Sequence, residues 1–255
     1  MHAKYWLKNF IYFIFPGKYG YYRYLQTYVD KDYVHERDKS PLWNKHNKKE
    51  GWKEIREGIR YRDYDTYEEY VSHQRQKLDE MLKIKGGFTK RTIVSYRLKF
   101  YRRFSVLHKY LSKSAQILCA GARQGTEVEV LHDLGYKNAF GIDLNPGPDN
   151  KYVHKGDFMD LTNHESSLDM IYSNCIDHAF DLNAFFKEHA RVLKPEGYAL
   201  YDIGLLEEGG GPFESADWES PEIIFIMMLK YFKKVIMLST EKKWKWVLLQ
   251  GKNCL

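Results

Sequence analysis

The sequence contains few cysteines and no long apolar run, and these absences exclude several classes of protein. Three cysteines in 255 residues cannot form a disulfide framework. There is no Cys-x-x-Cys motif and no cluster of histidine with cysteine, so the sequence predicts no metal site. The apolar stretch 5–15 is shorter than the roughly 20 residues that cross a bilayer, and no small-residue cleavage site follows it. We therefore expect a cytoplasmic globular protein.

Charge is divided unevenly along the chain. Residues 1–115 contain 26 Lys and Arg against 13 Asp and Glu, a net charge of +13, whereas the remainder carries −7. Such asymmetry is typical of a region that meets an anionic partner, such as a membrane surface, a phosphorylated acceptor or nucleic acid. The alternative is a solvated basic face that packs on an acidic domain.

Residues 5–15 are aromatic and apolar and have lysines nearby. This composition suits a short helix that lies in a membrane interface, so a peripheral contact at the inner face of the membrane is one hypothesis. The alternative is a helix that packs on the protein's own core, which is the commoner use of an apolar stripe.

The N-terminal part is predicted to contain two helices. Residues 21–64 are rich in Tyr, Lys, Arg and Trp, and we expect them to be irregular. Asp65-Thr66-Tyr67-Glu68 is typical of a helix start, and Gly86-Gly87 of its end. The apolar face of this helix is predicted to comprise Tyr67, Tyr70, Val71, Gln74, Leu78 and Met81. With a second helix over about 92–111, residues 1–113 form a basic, aromatic-rich helical extension and 114–255 a separate domain.

Short apolar runs alternate with amphipathic stretches through residues 114–255. Strands are predicted over 117–120, 139–142, 152–155, 168–173 and 198–203, with helices after residue 125 and over 182–193. This alternation predicts an α/β fold with a parallel sheet and helices on both faces. Four polar or glycine positions follow successive strands, namely Gly121, Asp143, Asp157 and Asn174. Ligands of such sheets bind at this edge.

The first strand, its glycine turn and the acid after the next strand form a nucleotide-binding pattern. Glycines at 121 and 125 allow backbone N–H groups to approach a ligand, and Asp143 can accept hydrogen bonds from ribose hydroxyls. Arg123 stands where a dinucleotide-binding turn has its middle glycine, and its side chain would crowd a pyrophosphate.

At this point the chain resembles the class I S-adenosylmethionine-dependent methyltransferases, over roughly residues 114–250. The matching motifs are Ile-Leu-Cys-Ala-Gly-Ala-Arg-Gln-Gly, Gly-Ile-Asp-Leu, Gly-Asp-Phe, Asp-Met-Ile-Tyr-Ser-Asn-Cys-Ile-Asp-His and Arg-Val-Leu-Lys-Pro-Glu-Gly-Tyr. The resemblance implies a Rossmann-like sheet of seven mostly parallel strands, closed by an antiparallel pair over 234–239 and 243–250 after a helix over 221–232. It also implies S-adenosylmethionine (SAM) as the cofactor.

The resemblance assigns roles to individual residues. Gly121 and Gly125 would frame the methionine moiety of SAM, and Asp143 would hold its ribose. Asp157 would bind the adenine amino group with Phe158 beside the ring, and Asn174 would lie under the sulfonium. Ala122, Arg123 and Leu144 complete the predicted cofactor site. The family's usual acid is replaced by Cys119, and Arg123 would either pair with the cofactor carboxylate or remain solvated.

Asp177 and His178 are the predicted catalytic residues. An oxygen nucleophile often needs a base, and the unperturbed pKa of histidine suits that role. The alternative is a structural histidine beside the cofactor, which this position often holds in the family. Residues 207–220 contain three glycines together with Phe213 and Trp218, and we expect them to form a mobile cover over the substrate.

The acceptor is predicted to be the hydroxyl of a small molecule, a sugar or a lipid-linked glycan. The segment Asn174–Asp177 lacks the prolines of amino-directed nucleic-acid methyltransferases, and Cys175 lacks the proline neighbour of a pyrimidine-directed nucleophile. Two alternatives stay open. One is an RNA methyltransferase that uses its basic N-terminal part, and the other is a non-catalytic SAM-binding scaffold.

Overall fold

The computed structural model describes residues 51–55, 58–83, 90–147, 150–204, 211–241 and 244–253. The strands in these ranges are β1 (Trp52–Ile55), β2 (Ile59–Arg62), β3 (Ile117–Ala120), β4 (Ala139–Asp143), β5 (Val153–Lys155), β6 (Leu168–Ser173), β7 (Leu193–Gly204), β8 (Ala216–Trp218), β9 (Phe232–Glu241) and β10 (Trp244–Lys252). The helices are α1 (Tyr67–Lys83), α2 (Lys90–Phe104), α3 (Thr126–Asp133), α4 (Leu182–Val192) and α5 (Pro221–Tyr231), with short 3-10 turns at Leu107–Lys109 and Ile176–His178.

The main sheet has seven strands in the order β5-β4-β3-β6-β7-β10-β9. The first five are parallel, and β10 runs antiparallel to both β7 and β9. This arrangement confirms the predicted Rossmann-like fold and its closing antiparallel pair. The chain leaves β3 toward β4 on one side and later returns to β6 on the other. The carboxyl end of β3 is therefore the point where a ligand crevice opens.

Strand β3 shows how the sequence places a core on each face of the sheet. Ile117 and Cys119 point to the face covered by α2 and α3, whereas Leu118 and Ala120 point to the face covered by α4 and α5. All four side chains are 2% exposed or less, as the continuous apolar run of a central parallel strand requires. The helices thus cover both faces, as predicted.

A second sheet, with the order β1-β2-β8, was not predicted from the sequence. Residues 52–62 form a hairpin although the expectation for 21–64 was irregular structure, so that part of the prediction is wrong. Ile59 pairs with Trp218, and Tyr61 pairs with Ala216. The sheet therefore joins the N-terminal part of the chain to the segment that follows β7.

The two predicted helices of the N-terminal part are present with shifted ends. In α1 the capping pair lies one residue further along than predicted: Thr66 Oγ1 accepts from Glu69 N at 3.2 Å, and Glu69 Oε2 accepts from Asp65 N at 2.8 Å. Helix α2 ends at Phe104, and the chain continues into the 3-10 turn instead of reaching residue 111.

None of the helices in the described part of the chain has the length and apolar character needed to cross a bilayer. The aromatic segment 5–15, proposed as a membrane contact, lies outside the described residues.

Candidate functional site

A pocket opens at the carboxyl ends of β3, β4 and β6, where the sequence predicts the cofactor. Its volume is about 480 Å³ with the open mouth included. The side chains and glycine that line it are Tyr70, Gln74, Lys77, Gly121, Arg123, Asp143, Leu144, Asn145, Phe158, Cys175 and His178. The first three belong to α1, so a helix from the N-terminal part forms one wall.

The turn after β3 needs glycine for two physical reasons. Gly121 has a φ of +76°, in the left-handed region, and a Cβ at this position would overlap the sulfur of Cys175. Gly125 has a φ of +79°, and its Cβ would lie 2.8 Å from a methyl group of Val153. The turn therefore brings bare backbone to the pocket, as the binding of a nucleotide-like ligand requires.

Asp143 fastens this turn from the end of β4. Its Oδ2 accepts a hydrogen bond from Arg123 N, and its Oδ1 accepts one from Asn145 N, both at 2.8 Å. Burial raises the pKa of the Asp143 carboxyl, although the N–H of Asn145 and the charge of Arg123 act in the opposite direction. Each oxygen keeps a lone pair, so the carboxylate can also accept from ribose hydroxyls.

The structure brings most, but not all, of the predicted site residues to the pocket wall. The predicted residues that line it are Gly121, Arg123, Asp143, Leu144, Phe158 and His178. The other predicted residues do not line the pocket. Ala122, Asp157, Asn174 and Asp177 are each next to a lining residue in the chain, and Gly125 lies two residues after Arg123. Asp157 Oδ1 accepts from Met159 N at 2.8 Å, and it is Cys175 that reaches the wall after β6, not Asn174.

His178 is held in one tautomer by its neighbours. Nδ1 lies 2.8 Å from the carbonyl oxygen of Phe213, which can only accept, so Nδ1 carries the hydrogen. Burial lowers the pKa of His178 well below its ordinary value, and the positive charge of Lys77 lowers it further. The imidazole is therefore neutral, and its Nε2 lone pair faces Lys77 Nζ at 2.6 Å.

Two carboxylates lie beside this pair. Asp177, His178 and Glu214 place their ligand atoms within 4.8 Å of one another, the spacing of a metal centre. Both imidazole nitrogens are already engaged, however, Nδ1 with Phe213 and Nε2 with Lys77. The carboxylates of Asp177 and Glu214 favour a positive charge nearby, and the ammonium group of Lys77 supplies it in place of a metal ion. Burial and the charge of Glu214 together raise the pKa of Asp177 to about 7, although the charge of Lys77 opposes the shift.

Cys175 lies in the pocket wall as an unreactive thiol. Its Sγ lies 3.3 Å from Ser173 Oγ and 3.5 Å from the carbonyl oxygen of Ala120. Burial raises the pKa of the Cys175 thiol to about 12. The thiolate is the nucleophilic form of cysteine, so this side chain is unsuited to attack a substrate.

Residues 211–215, which precede β8, are hydrogen-bonded to α1 and lie over His178. The Phe213 carbonyl accepts from Gln74 Nε2 at 2.7 Å as well as from His178. The Phe213 ring is 3% exposed and stacks on His73 with centroids 5.1 Å apart. Gln74 also contacts Ser215 Oγ at 2.9 Å. The described part of the predicted cover, residues 211–220, is thus fixed by these contacts and by β8.

Sequence patterns alone did not single out Gln74, Lys77 or Glu214 as site residues. Gln74 was assigned to an apolar helix face, and Lys77 falls on the same face three residues later. The position of these two polar side chains on an otherwise apolar helix face is the feature that could have identified them as site residues. Glu214 carried no such signal, because its neighbours in the pocket are distant in sequence.

The residues that line the pocket suit the predicted cofactor. Gly121 brings backbone without a side chain to the pocket wall, and Asp143 offers acceptor lone pairs at the end of the adjacent strand. Phe158 presents a largely buried ring that packs edge-on against Phe185. An aromatic ring of this kind suits the face of a purine.

Comparisons with known proteins agree with this geometry. Residues 118–201 match the family model described as "Methyltransferase domain". No curated protein has a matching sequence. A Burkholderia thailandensis 1,6-didemethyltoxoflavin-N1-methyltransferase, solved with S-adenosylhomocysteine (SAH), shares the fold with a TM-score of 0.57 at 14% identity, over 79% of this chain and 99% of that one.

A second solved structure, a SAM-dependent methyltransferase from Thermotoga maritima, shares the fold with a TM-score of 0.51 at 15% identity. The match covers 71% of this chain and 99% of the Thermotoga chain. The matched family model, the sheet order and the pocket at the ends of β3 and β4 lead to one conclusion. Residues 118–201 belong to a methyltransferase domain, which is built on the Rossmann-like fold that these solved methyltransferases share.

Proposed function

We propose that this methyltransferase acts on a hydroxyl oxygen of a small acceptor. When bound, SAM supplies a methyl group on a positively charged sulfur. A hydroxyl oxygen becomes a strong nucleophile only as its proton leaves, so O-methylation benefits from a buried base. The observation that carries the proposal is the pair formed by half-buried Lys77 and buried His178 in the wall of the cofactor pocket, with its two carboxylate neighbours.

The unreactive state of Cys175 argues against methylation of a pyrimidine carbon. That chemistry requires a cysteine thiolate that adds to the ring. The sulfur of Cys175 is buried against Gly121 and Ala120, and its raised pKa keeps it protonated at neutral pH.

The enclosure of the pocket beside Lys77 and His178 favours a small acceptor. Helix α1 and residues 211–215 form the adjoining wall, through the hydrogen bonds of Gln74, so an acceptor at this position would be surrounded by protein. A sugar or lipid-linked glycan is the specific form suggested by the basic N-terminal part. The same charge would also suit an RNA substrate.

The roles of the chain's own residues follow from their positions. The turn at Gly121 and Gly125 would hold the amino-acid end of SAM, and Asp143 its ribose. Asp177 and His178 lie with Lys77 on the side of α1, where the acceptor would enter. Alignment of the acceptor oxygen with the methyl group is the main rate enhancement available to such a site.

Calorimetric titration with SAH tests the cofactor half of this proposal. Asp143→Ala should weaken SAH binding by about 10- to 100-fold, because it removes a charged hydrogen-bond acceptor and the clasp on the glycine turn. Asp160→Ala, at an exposed aspartate, is the control and should bind like the wild type. Equal affinity in the wild type and Asp143→Ala would show that SAH binds elsewhere.

The acceptor half is tested with labelled SAM and matched pairs of small compounds that differ only in a hydroxyl or an amino group. We expect methylation of the hydroxyl members. Turnover confined to the amino members would replace O-methylation with N-methylation, the reaction named for the Burkholderia protein.

A further inference from the structure

The amine of Lys77 is the one polar group of α1 that pairs directly with a predicted catalytic residue among the described residues. It lines the cofactor pocket, and its Nζ lies 2.6 Å from His178 Nε2. Because Nδ1 of His178 donates to Phe213, Nε2 can only accept, and Lys77 must be the donor. The lone pair of His178 is therefore occupied and is not available to a substrate.

We propose that Lys77 takes the proton from the acceptor and that His178 is a positioning residue that holds the Lys77 amine in place. The proposal rests on the O-methylation proposed above and reassigns the base within it. From the sequence, this role is predicted for His178 and Asp177. The geometry points instead to a residue of the N-terminal helix, outside the matched family model.

The surroundings of Lys77 allow its amine to exist without a proton near neutral pH. The charged and titratable groups around it are His73, Arg123, Asp143, Cys175, Asp177, His178 and Glu214. Burial and the charge of Arg123 lower the pKa of Lys77 to about 8, against the opposing charges of Glu214 and Asp177. A base whose pKa lies near the working pH combines a useful unprotonated fraction with sufficient basicity.

The proposed step conserves atoms and charge. The neutral Lys77 amine accepts the hydroxyl proton, and the acceptor oxygen uses the freed electron pair to bond the methyl carbon. The bond from that carbon to sulfur breaks, and its electron pair stays on sulfur, which becomes the neutral thioether of SAH. The positive charge lost by sulfur reappears on the Lys77 ammonium, which the negative charges of Glu214 and Asp177 favour.

This charge transfer gives a test that needs no identified acceptor. SAM carries a positive sulfur and SAH does not, so a charged Lys77 in the same pocket should oppose SAM binding but not SAH binding. The ratio of the two dissociation constants, SAH over SAM, should rise with pH as Lys77 loses its proton. The rise between pH 7 and pH 9 is about fivefold if bound SAM lowers the pKa of Lys77 by one unit.

Two substitutions separate Lys77 from the nearby acids. Lys77→Met removes the charge, so its ratio at pH 7 should match the wild-type ratio at pH 9. Lys77→Arg retains a charge at every pH, so its ratio should stay at the low wild-type value through pH 9. Arg75→Met is the matched control, because it removes an exposed cation from the same helix outside the pocket, and it should follow the wild type.

His178→Phe tests the positioning role. It removes the acceptor that favours the ammonium form, so the midpoint of the wild-type rise should move to lower pH. An unchanged midpoint would show that His178 only fills space.

Two results would contradict the proposed role of Lys77. A rise in Lys77→Arg equal to that of the wild type would assign the titration to the acids, and a low ratio at pH 7 in Lys77→Met would place Lys77 away from the sulfur. Either outcome by itself would overturn the proposal.

Turnover separates this inference from the proposed function. Once a hydroxyl acceptor is found, Lys77→Arg should lower kcat by about 100-fold or more while SAH still binds. Retained turnover in Lys77→Arg would overturn the role of Lys77 and leave O-methylation standing. Methylation of amines alone would instead remove the proposed function.

Discussion

Glu127 is a carboxylic acid that the fold keeps away from water. It lies in the first turn of α3 and is 6% exposed. Burial raises its pKa to about 8, while Arg123 and Lys99 partly oppose the shift. The folded-state pKa thus exceeds the ordinary value of 4.5. Glu127 therefore contributes stability that is full below about pH 4.5 and is lost as the pH rises toward 8.

Replacing Glu127 by Gln should remove this pH dependence. Relative to the wild type, Glu127→Gln should gain stability between pH 5 and pH 8.5, on the order of 3 kcal/mol, because the amide never ionises. Urea unfolding at the two pH values measures the change. Glu129→Gln is the control on the same helix; its partly exposed pair with Arg97 should change stability by less than about 1 kcal/mol at either pH. A constant difference between Glu127→Gln and the wild type would mean that Glu127 is ionised in the fold.

At the scale of single residues, the sequence predicts the cofactor side better than the acceptor side. Gly121 and Asp143 are recognisable because a turn and a strand end require them, and both line the pocket. Lys77 and Glu214 come from segments whose neighbours in space are far away in sequence. Their chemistry arises from burial and from each other's charge, which no local pattern records.

The sheet of β1, β2 and β8 holds together two segments that are distant in sequence. Arg60 of β2 forms an ion pair with Asp217 of β8, and the Asp217 side chain is 2% exposed. In the same hairpin, Lys53 pairs with Asp63, but these side chains are 63% and 40% exposed. One small sheet thus contains an ion pair whose acid is buried, although Arg60 is 38% exposed, and an ion pair with both partners exposed.

Asp217→Asn should destabilise this sheet by about 1 to 3 kcal/mol, because it leaves Arg60 without its charged partner. Lys53→Gln removes the exposed pair and should cost less than about 1 kcal/mol. Hydrogen exchange of the amides of residues 59–61 and 216–218 measures both effects locally. Equal protection in the two variants would show that the Arg60 pair contributes nothing beyond a surface contact.

The elements of the main sheet are predictable because each is encoded by its own periodicity. Strands β3 to β6 and helix α4 lie within a few residues of their predicted bounds. Strand β8 has only three residues, and it is a strand because β2 lies beside it. The sequence of a short strand that forms only by pairing with a distant strand contains little periodicity from which it could be predicted.

Helix α2 makes part of the N-terminal sequence inseparable from the core of the methyltransferase domain. Phe104 is 1% exposed, stacks with Phe100 at 5.7 Å and meets the ring of Tyr172 edge-on at 4.9 Å. Tyr172 belongs to β6, in the centre of the main sheet. Loss of this contact should therefore affect the whole molecule.

Phe104→Ala should lower the free energy of unfolding by about 3 to 5 kcal/mol and should leave a single transition. Tyr96→Ala is the control on the same helix, where the ring is 43% exposed, and it should cost less than about 1 kcal/mol. Urea unfolding followed by circular dichroism and by fluorescence measures both variants. Two separated transitions in Phe104→Ala would contradict a shared core.

The fold of the whole molecule was predictable because the order of strands and helices restricts the sheet to few topologies. The position of α1 across the pocket was not predictable, since an amphipathic helix does not specify which surface it covers. The hypotheses that depend on residues 1–50, including the membrane contact at 5–15, remain predictions.

The attachment of residues 211–215 to α1 has a consequence for how this enzyme could change over evolution. Gln74, Lys77 and Phe213 all lie outside the matched family segment 118–201. On the proposed placement of the acceptor beside α1, insertions and substitutions in these flanking parts would change the acceptor, while residues 118–201 would stay the same. Grafting α1 together with 211–218 into a relative should transfer substrate choice as a unit, whereas grafting either piece alone should not.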